Sequence, residues 1–123
     1  MFIISDNNEI DMVQGDTGVI NLNLANYHLS NGDRVRFALS TKKMNSTTNI
    51  YTGSKPLLIV EKLITSFESD GTARIVLYPK DTLELAPGKY FYEIQITTKT
   101  GVVDTIIQAT KFTILEGMIY EWE

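Results

Sequence analysis

The chain contains no cysteine and one histidine, His28. Without cysteine there can be no disulfide, zinc–thiolate centre or thiolate nucleophile. A Ser/His/Asp triad needs a nucleophile, a base and an orienting acid that converge, and no nucleophile motif accompanies His28 in "LANYHLSNGD", which is read as structural or solvated. Long apolar runs are also missing. The longest aliphatic stretch, Leu57–Val60, is far short of the roughly 20 residues that cross a bilayer. The start, "MFIISDNNEI", has no basic region of a signal peptide, so a soluble protein without an export signal is expected, and the Asn45-Ser46-Thr47 sequon is read as a chance match. Positive charge is in deficit: 11 Lys and Arg against 15 Asp and Glu, a net charge of -4. That balance offers no electrostatic reason to bind nucleic acid or an anionic membrane.

What is present is alternation. In "GVINLNL" (18–24), Ile20, Leu22 and Leu24 share one face while Asn21 and Asn23 share the other. "RVRFALS" (34–40) sets Val35, Phe37 and Leu39 against Arg34 and Arg36, and Tyr90, Tyr92, Ile94 and Ile96 keep the same phase. This period marks half-buried antiparallel strands, one side on a core and one wet. Gly-containing turns at 14–18, 30–33, 68–71, 86–88 and 99–101 separate the strands. The spacing predicts strands over about 9–13, 18–24, 34–40, 57–64, 72–78, 89–97 and 103–115, the last interrupted by a bulge, with Phe2–Ser5 as a further edge. No helical period is visible, and a β-sandwich or small barrel is expected. At 123 residues the chain suits one domain with its own core, taken here as residues 1–123.

Several segments resemble sites. Asp6-Asn7-Asn8-Glu9-Ile10-Asp11 is acidic, but a calcium loop needs oxygens at alternate positions and a mid-loop Gly; Ile10 breaks the pattern, and a solvated turn is expected. Gly15-Asp16-Thr17-Gly18 contains the "DTG" of aspartic proteases, which work only as paired carboxylates. A single copy is read as a tight turn whose Asp and Thr bond the local backbone. The polar stretch Thr41–Lys55 is long for a compact domain and is a candidate binding loop, with Tyr51 as a possible contact. The tail, "EGMIYEWE", carries Met118, Ile119, Tyr120 and the single Trp, Trp122. Either it pairs on its own sandwich, or it docks on a neighbour, for which Tyr and Trp are well suited. No catalytic constellation, cofactor motif or metal-ligand spacing is apparent, and a non-enzymatic protein without cofactor or metal is expected.

The densest stretch is Asp81–Ile96, "DTLELAPGKYFYEIQI". Asp81 and Glu84 stand three apart, the spacing of a capping box closing one helical turn over 82–85 with Asp81 as the cap. Pro87-Gly88 end the turn, and Tyr90 opens the next strand. A helical turn followed by Gly-x-Tyr is the arrangement of the tyrosine corner in immunoglobulin-like sandwiches, in which the hydroxyl bonds backbone a few residues upstream. In that frame Gly88 precedes the corner Tyr90, Tyr92 and Ile94 fill the volume of the absent second cysteine, and Glu84 and Glu93 are solvated charges.

"QGDTGVINLNL", "RVRFALSTKK", "DGTARIVLYPKDTLELAPGKYFYEIQITTKTG" and "ATKFTIL", in that order, resemble the N-terminal immunoglobulin-like domain of the phage baseplate upper protein (BppU) family, from phages of Gram-positive bacteria. The matching elements are the Gly15-Asp16-Thr17 turn, the block from Pro79 to Gln95 and the closing Phe112–Ile114, across roughly residues 9–115. The resemblance implies an immunoglobulin-like β-sandwich of seven to eight antiparallel strands. It also implies a structural virion protein, a tail or baseplate adaptor present in multiple copies or as a homo-oligomer, assembled in the host cytoplasm and bound to other virion proteins. Terminal segments Met1–Ser5 and Gly117–Glu123 would insert into neighbours by strand addition. Family members commonly continue into further domains, which leaves open whether this chain carries receptor-binding modules. A capsid decoration or head-fibre protein is the alternative within that class. A carbohydrate-binding module using Tyr27, Tyr51, Phe91 and Trp122 is the alternative outside it.

Overall fold

A computed structural model of the protein describes residues 1–24, 27, 29–41, 57–64 and 71–117. The strands are β1 (Phe2–Ile4), β2 (Ile10–Val13), β3 (Gly18–Asn23), β4 (Arg34–Ser40), β5 (Leu58–Leu63), β6 (Thr72–Leu77), β7 (Gly88–Thr97) and β8 (Val103–Leu115); a short helix, α1 (Pro79–Leu83), precedes β7. One sheet has the order β1-β2-β8-β7-β4-β5, and β3 pairs with β6 in the second. The sheets pack as an all-β sandwich. The alternating residues meet between them: Ile20 and Leu22 of β3 and Ile75 and Leu77 of β6 face Val35, Phe37 and Leu39 of β4 and Tyr92, Ile94 and Ile96 of β7, all buried.

At the centre of the core is an aromatic trio, one ring from each of three adjacent strands. Phe37 stacks on Tyr92 with ring centroids 5.5 Å apart, and Phe112 meets both edge-on at 6.0 Å. Offset and edge-to-face packing match the ring quadrupoles, and these rings bury more area than any aliphatic pair could.

Strand direction departs from expectation at one place. β2 runs parallel to β8, with Ile10 opposite Phe112 and Met12 opposite Ile114. Alternation reports which face a residue takes, not the direction of its neighbour. Short turns force antiparallel pairing, and no short turn joins β2 to β8. The expected bulge lies in β8, where the register against β7 shifts twice between Tyr92 and Gln95.

The amino-terminal segment is bound within its own chain. β1 pairs with β2, the Met1 carbonyl accepts from Val13 N–H at 3.0 Å, and the Met1 amino group pairs with the Asp16 carboxylate. The Phe2 ring lies over Gly18, where a Cβ would sit 2.4 Å from it, so only glycine fits. The segment Met1–Ser5, expected to insert into a neighbour, pairs through β1 with β2 and forms the edge of the six-stranded sheet.

Candidate functional site

The corner is built from the start of α1 upward. Pro79 takes the first helical position, where its fixed φ suits the turn and its missing N–H costs nothing. The Asp81 N–H donates to the Tyr78 carbonyl at 2.8 Å, and the Tyr78 N–H donates to the Asp81 carboxylate at 2.7 Å. The helix therefore spans 79–83 rather than 82–85, and Asp81 closes its first turn from inside instead of capping it. The proline moves the start three residues upstream of the Asp-to-Glu spacing. Glu84 follows the last helical residue and is exposed.

Three further bonds hold this turn to the β2–β3 connection. Gln14 Nε2 donates to the carbonyls of Leu83 at 3.0 Å and Leu85 at 2.8 Å, and the Gly15 N–H donates to Thr82 Oγ1 at 2.9 Å. Thr82 is wholly buried. The "GDTG" segment is the tight turn expected, with Gly15 at φ 83 and the Asp16 N–H on the Val13 carbonyl at 3.1 Å. Its Asp16 carboxylate takes the terminal amino group rather than local backbone, and Thr17 is exposed.

Beyond the turn, the Tyr90 hydroxyl donates to the Ala86 carbonyl at 2.5 Å, four residues upstream. Gly88 begins β7 in the open, with nothing within 4 Å of a Cβ placed there. The Tyr92 hydroxyl donates to the Asn8 carbonyl at 2.5 Å, and burial pushes its pKa up to about 12. Asn8 has φ 69 inside the Ser5–Glu9 turn, where the Ser5 hydroxyl accepts from Glu9 N–H. The acidic segment before β2 thus forms a turn that receives the core tyrosine's hydroxyl.

Asp33, which the sequence did not single out, is 4% exposed. Its carboxylate accepts from the backbone N–H groups of Ser30 at 2.9 Å and Lys99 at 3.0 Å, fastening the β3–β4 connection to the β7–β8 hairpin. The Ser30 bond above all, with Lys99 contributing, holds its carboxyl below the usual range against the opposing effect of burial. "SNGD" before a strand signalled a turn, but its partner at Lys99 is legible only in three dimensions.

The outer face of the six-stranded sheet is less settled. Glu61 on β5 lies 3.8 Å from Arg34 and 3.3 Å from Arg36, yet Arg36 Nε is sealed from solvent without an aligned hydrogen bond. Glu93, expected to be a solvated charge, is half-buried, and burial pushes its carboxyl above the usual range. Arg36, Ala38, Ile59, Glu93 and Gln95 line a hollow of about 280 Å³. A second hollow of about 280 Å³ lies between β5 and β6, lined by Val60, Glu61 and Lys62 on one side and Arg74, Ile75, Val76 and Tyr78 on the other.

Of the other candidate contacts, Tyr27 is exposed and Phe91 half-buried. His28, Tyr51, Met118, Ile119, Tyr120 and Trp122 lie outside the described residues, as does all of the loop 41–55 except Thr41. Among the described residues, no group of three His, Cys, Asp or Glu could hold a metal ion, and no helix is long and apolar enough to cross a membrane.

No protein-family model and no curated protein matches the chain. Function therefore rests on the residues themselves.

Proposed function

We propose that this is a non-enzymatic structural virion protein of a bacteriophage, an immunoglobulin-like adaptor module of the tail or baseplate that acts through protein–protein contacts. The observation that carries this reading is the hollow between β5 and β6. Each strand ends its sheet, and three consecutive residues on each line the gap. Consecutive residues point to opposite faces, so the shared wall is the strand edge itself, which offers backbone donors and acceptors. Exposed aliphatics flank it: Leu57 and Leu63 are 50% and 52% exposed, and Ile59 nearly as much. A partner strand laid along this edge would gain main-chain hydrogen bonds and cover those side chains.

The buried polar groups fit a structural role as well. Asp33, Thr82, Tyr90 and Tyr92 are each engaged in holding one segment to another. The immunoglobulin-like reading draws on the Tyr90 bond to Ala86, the arrangement of a tyrosine corner. The test is amine cross-linking and mass spectrometry of purified phage particles carrying the chain. Cross-links from Lys62 to a different virion protein are expected. Absence of the chain from purified particles overturns the virion reading.

A further inference from the structure

The hollow on the outer sheet face exists because of one small side chain. Ala38 sits directly between Ile59 on β5 and Glu93 on β7, and Arg36, the next outward residue of β4, sits between Glu61 and Gln95. A methyl group among larger neighbours leaves about 280 Å³ open above it. What surrounds that space is an unfinished set of hydrogen bonds. Arg36 Nε is a buried donor whose ion-pair partner, Glu61 at 3.3 Å, is not aligned for a hydrogen bond. Glu93 is a half-buried acceptor that makes no ion pair among the described residues, and Gln95 beside it can do both. A buried donor without an aligned acceptor is uncommon in folded proteins and calls for an explanation.

We propose that this hollow binds one pyranose unit of an uncharged saccharide. Arg36 Nε can take an acceptor better aligned than Glu61, and Glu93 can take a donor; neighbouring hydroxyl groups supply both, since each can donate and accept. Ile59 and the Ala38 methyl need a carbon surface against them, which the C–H face of a sugar ring provides. The charges argue for a neutral ligand: Arg34 and Arg36 are balanced on this face by Glu61 and Glu93, and an ion of either sign would meet a like charge. Size argues for a single ring, because the hollow sits at the lower end of the roughly 300–1,000 Å³ spanned by small-ligand pockets. A partner's carboxamide side chain offers the same donor and acceptor but leaves much of the space empty. The inference is independent of the virion reading.

The test is titration of the isotope-labelled protein with the methyl glycosides of glucose, galactose, N-acetylglucosamine and rhamnose, read as amide shifts by NMR. At least one sugar is expected to shift Ala38, Ile59, Glu93 and Gln95 with a Kd on the order of 1 mM, as suits one shallow subsite. Ala38→Leu fills the hollow from the solvent side and is expected to weaken binding at least about tenfold with the melting temperature held. Glu93→Gln keeps the shape and removes the charge-assisted acceptor, and is expected to weaken binding severalfold, so the proposal stays testable if the leucine variant folds poorly. Failure of all four sugars to shift these residues overturns it, as does binding unaffected by either variant. Acetamide moving the same amides while the sugars do not also overturns it, and assigns the hollow to a protein side chain.

Discussion

β4 and β7 each present two faces, and the two faces obey different rules. Phe37 and Ala38 are neighbours in sequence, as are Tyr92 and Glu93, yet the first of each pair is sealed in the core and the second faces outward. On the inner face the two tyrosine hydroxyls have their acceptors, Tyr90 in Ala86 and Tyr92 in Asn8. On the outer face a guanidinium nitrogen is buried beside a carboxylate that is not aligned to accept from it, and a carboxyl is partly desolvated without a counter-charge among the described residues. The inner face behaves as a closed account of contacts, whereas the outer face holds unmet hydrogen-bonding capacity around a hollow. The difference teaches that alternation assigns the side of the sheet, while the cross-strand neighbours decide whether a polar group there is at rest.

The sharpest way to break this comparison is to remove a ring from the trio. Phe112→Ala is expected to destabilise the fold by about 3–5 kcal/mol, the range for truncating a buried aromatic. Gln95→Ala, on the outer face of the neighbouring strand, is expected to stay within about 0.5 kcal/mol. Urea denaturation measures both, and similar losses would erase the distinction between the faces.

The Asp33 clamp sharpens it next, because this charge is buried yet fully engaged. Asp33→Ala leaves two backbone N–H groups without their acceptor and is expected to cost about 1–3 kcal/mol. The folded pKa lies below the unfolded one, so Asp33 stabilises above the unfolded value of about 3.9 and loses that contribution as pH falls through the folded value. Acid melts of wild type and Asp33→Asn should therefore converge at the lowest pH, and a constant gap across the acid range would refute the linkage.

Smaller effects are expected at the hydroxyls. Tyr90→Phe and Tyr92→Phe each lose one hydrogen bond to a backbone carbonyl and should cost on the order of 1 kcal/mol. Thermal melts decide each, and an unchanged Tyr90→Phe melt would sink the corner assignment.

The smallest effect has the opposite sign. Burial raises the Glu93 carboxyl above its unfolded pKa, so the folded state binds the proton more tightly. Glu93 therefore costs stability as pH rises from the unfolded value through the folded one, and the cost persists above both. Glu93→Gln is expected to stabilise the protein at neutral pH by no more than a few tenths of a kcal/mol, since the group is only half-buried and water screens it. A loss of stability in urea would show that Glu93 has a cation partner after all.

Much of the fold was legible before any coordinates. The alternation in "RVRFALS" placed β4 at its observed ends, and Gly-containing turns bounded most of the rest within a residue or two. Tyr90 and Tyr92 were singled out because they keep the inward phase next to a turn. Other features depended on the pairing. Asp81 was read as a cap because its spacing to Glu84 suggested one, yet Pro79 made an earlier start available. Glu93 was read as solvated because it occupies an outward position, and nothing in the chain reveals that Ala38 stands beside it with Ile59 on the strand beyond. Arg36, Gln14 and Thr82 were passed over for the same reason, their partners being distant in sequence.

By itself the sequence determined the all-β class, the strand phase and the inward residues, because strand periodicity and turn chemistry are local properties of the backbone. Only the tertiary structure decided that β2 runs parallel to β8, that Asp33 reaches Lys99 and that Ala38 leaves a hollow between Ile59 and Glu93. Each of these joins segments far apart along the chain. No local pattern encodes such a meeting, since it depends on which strands become neighbours when both sheets bury their apolar faces together.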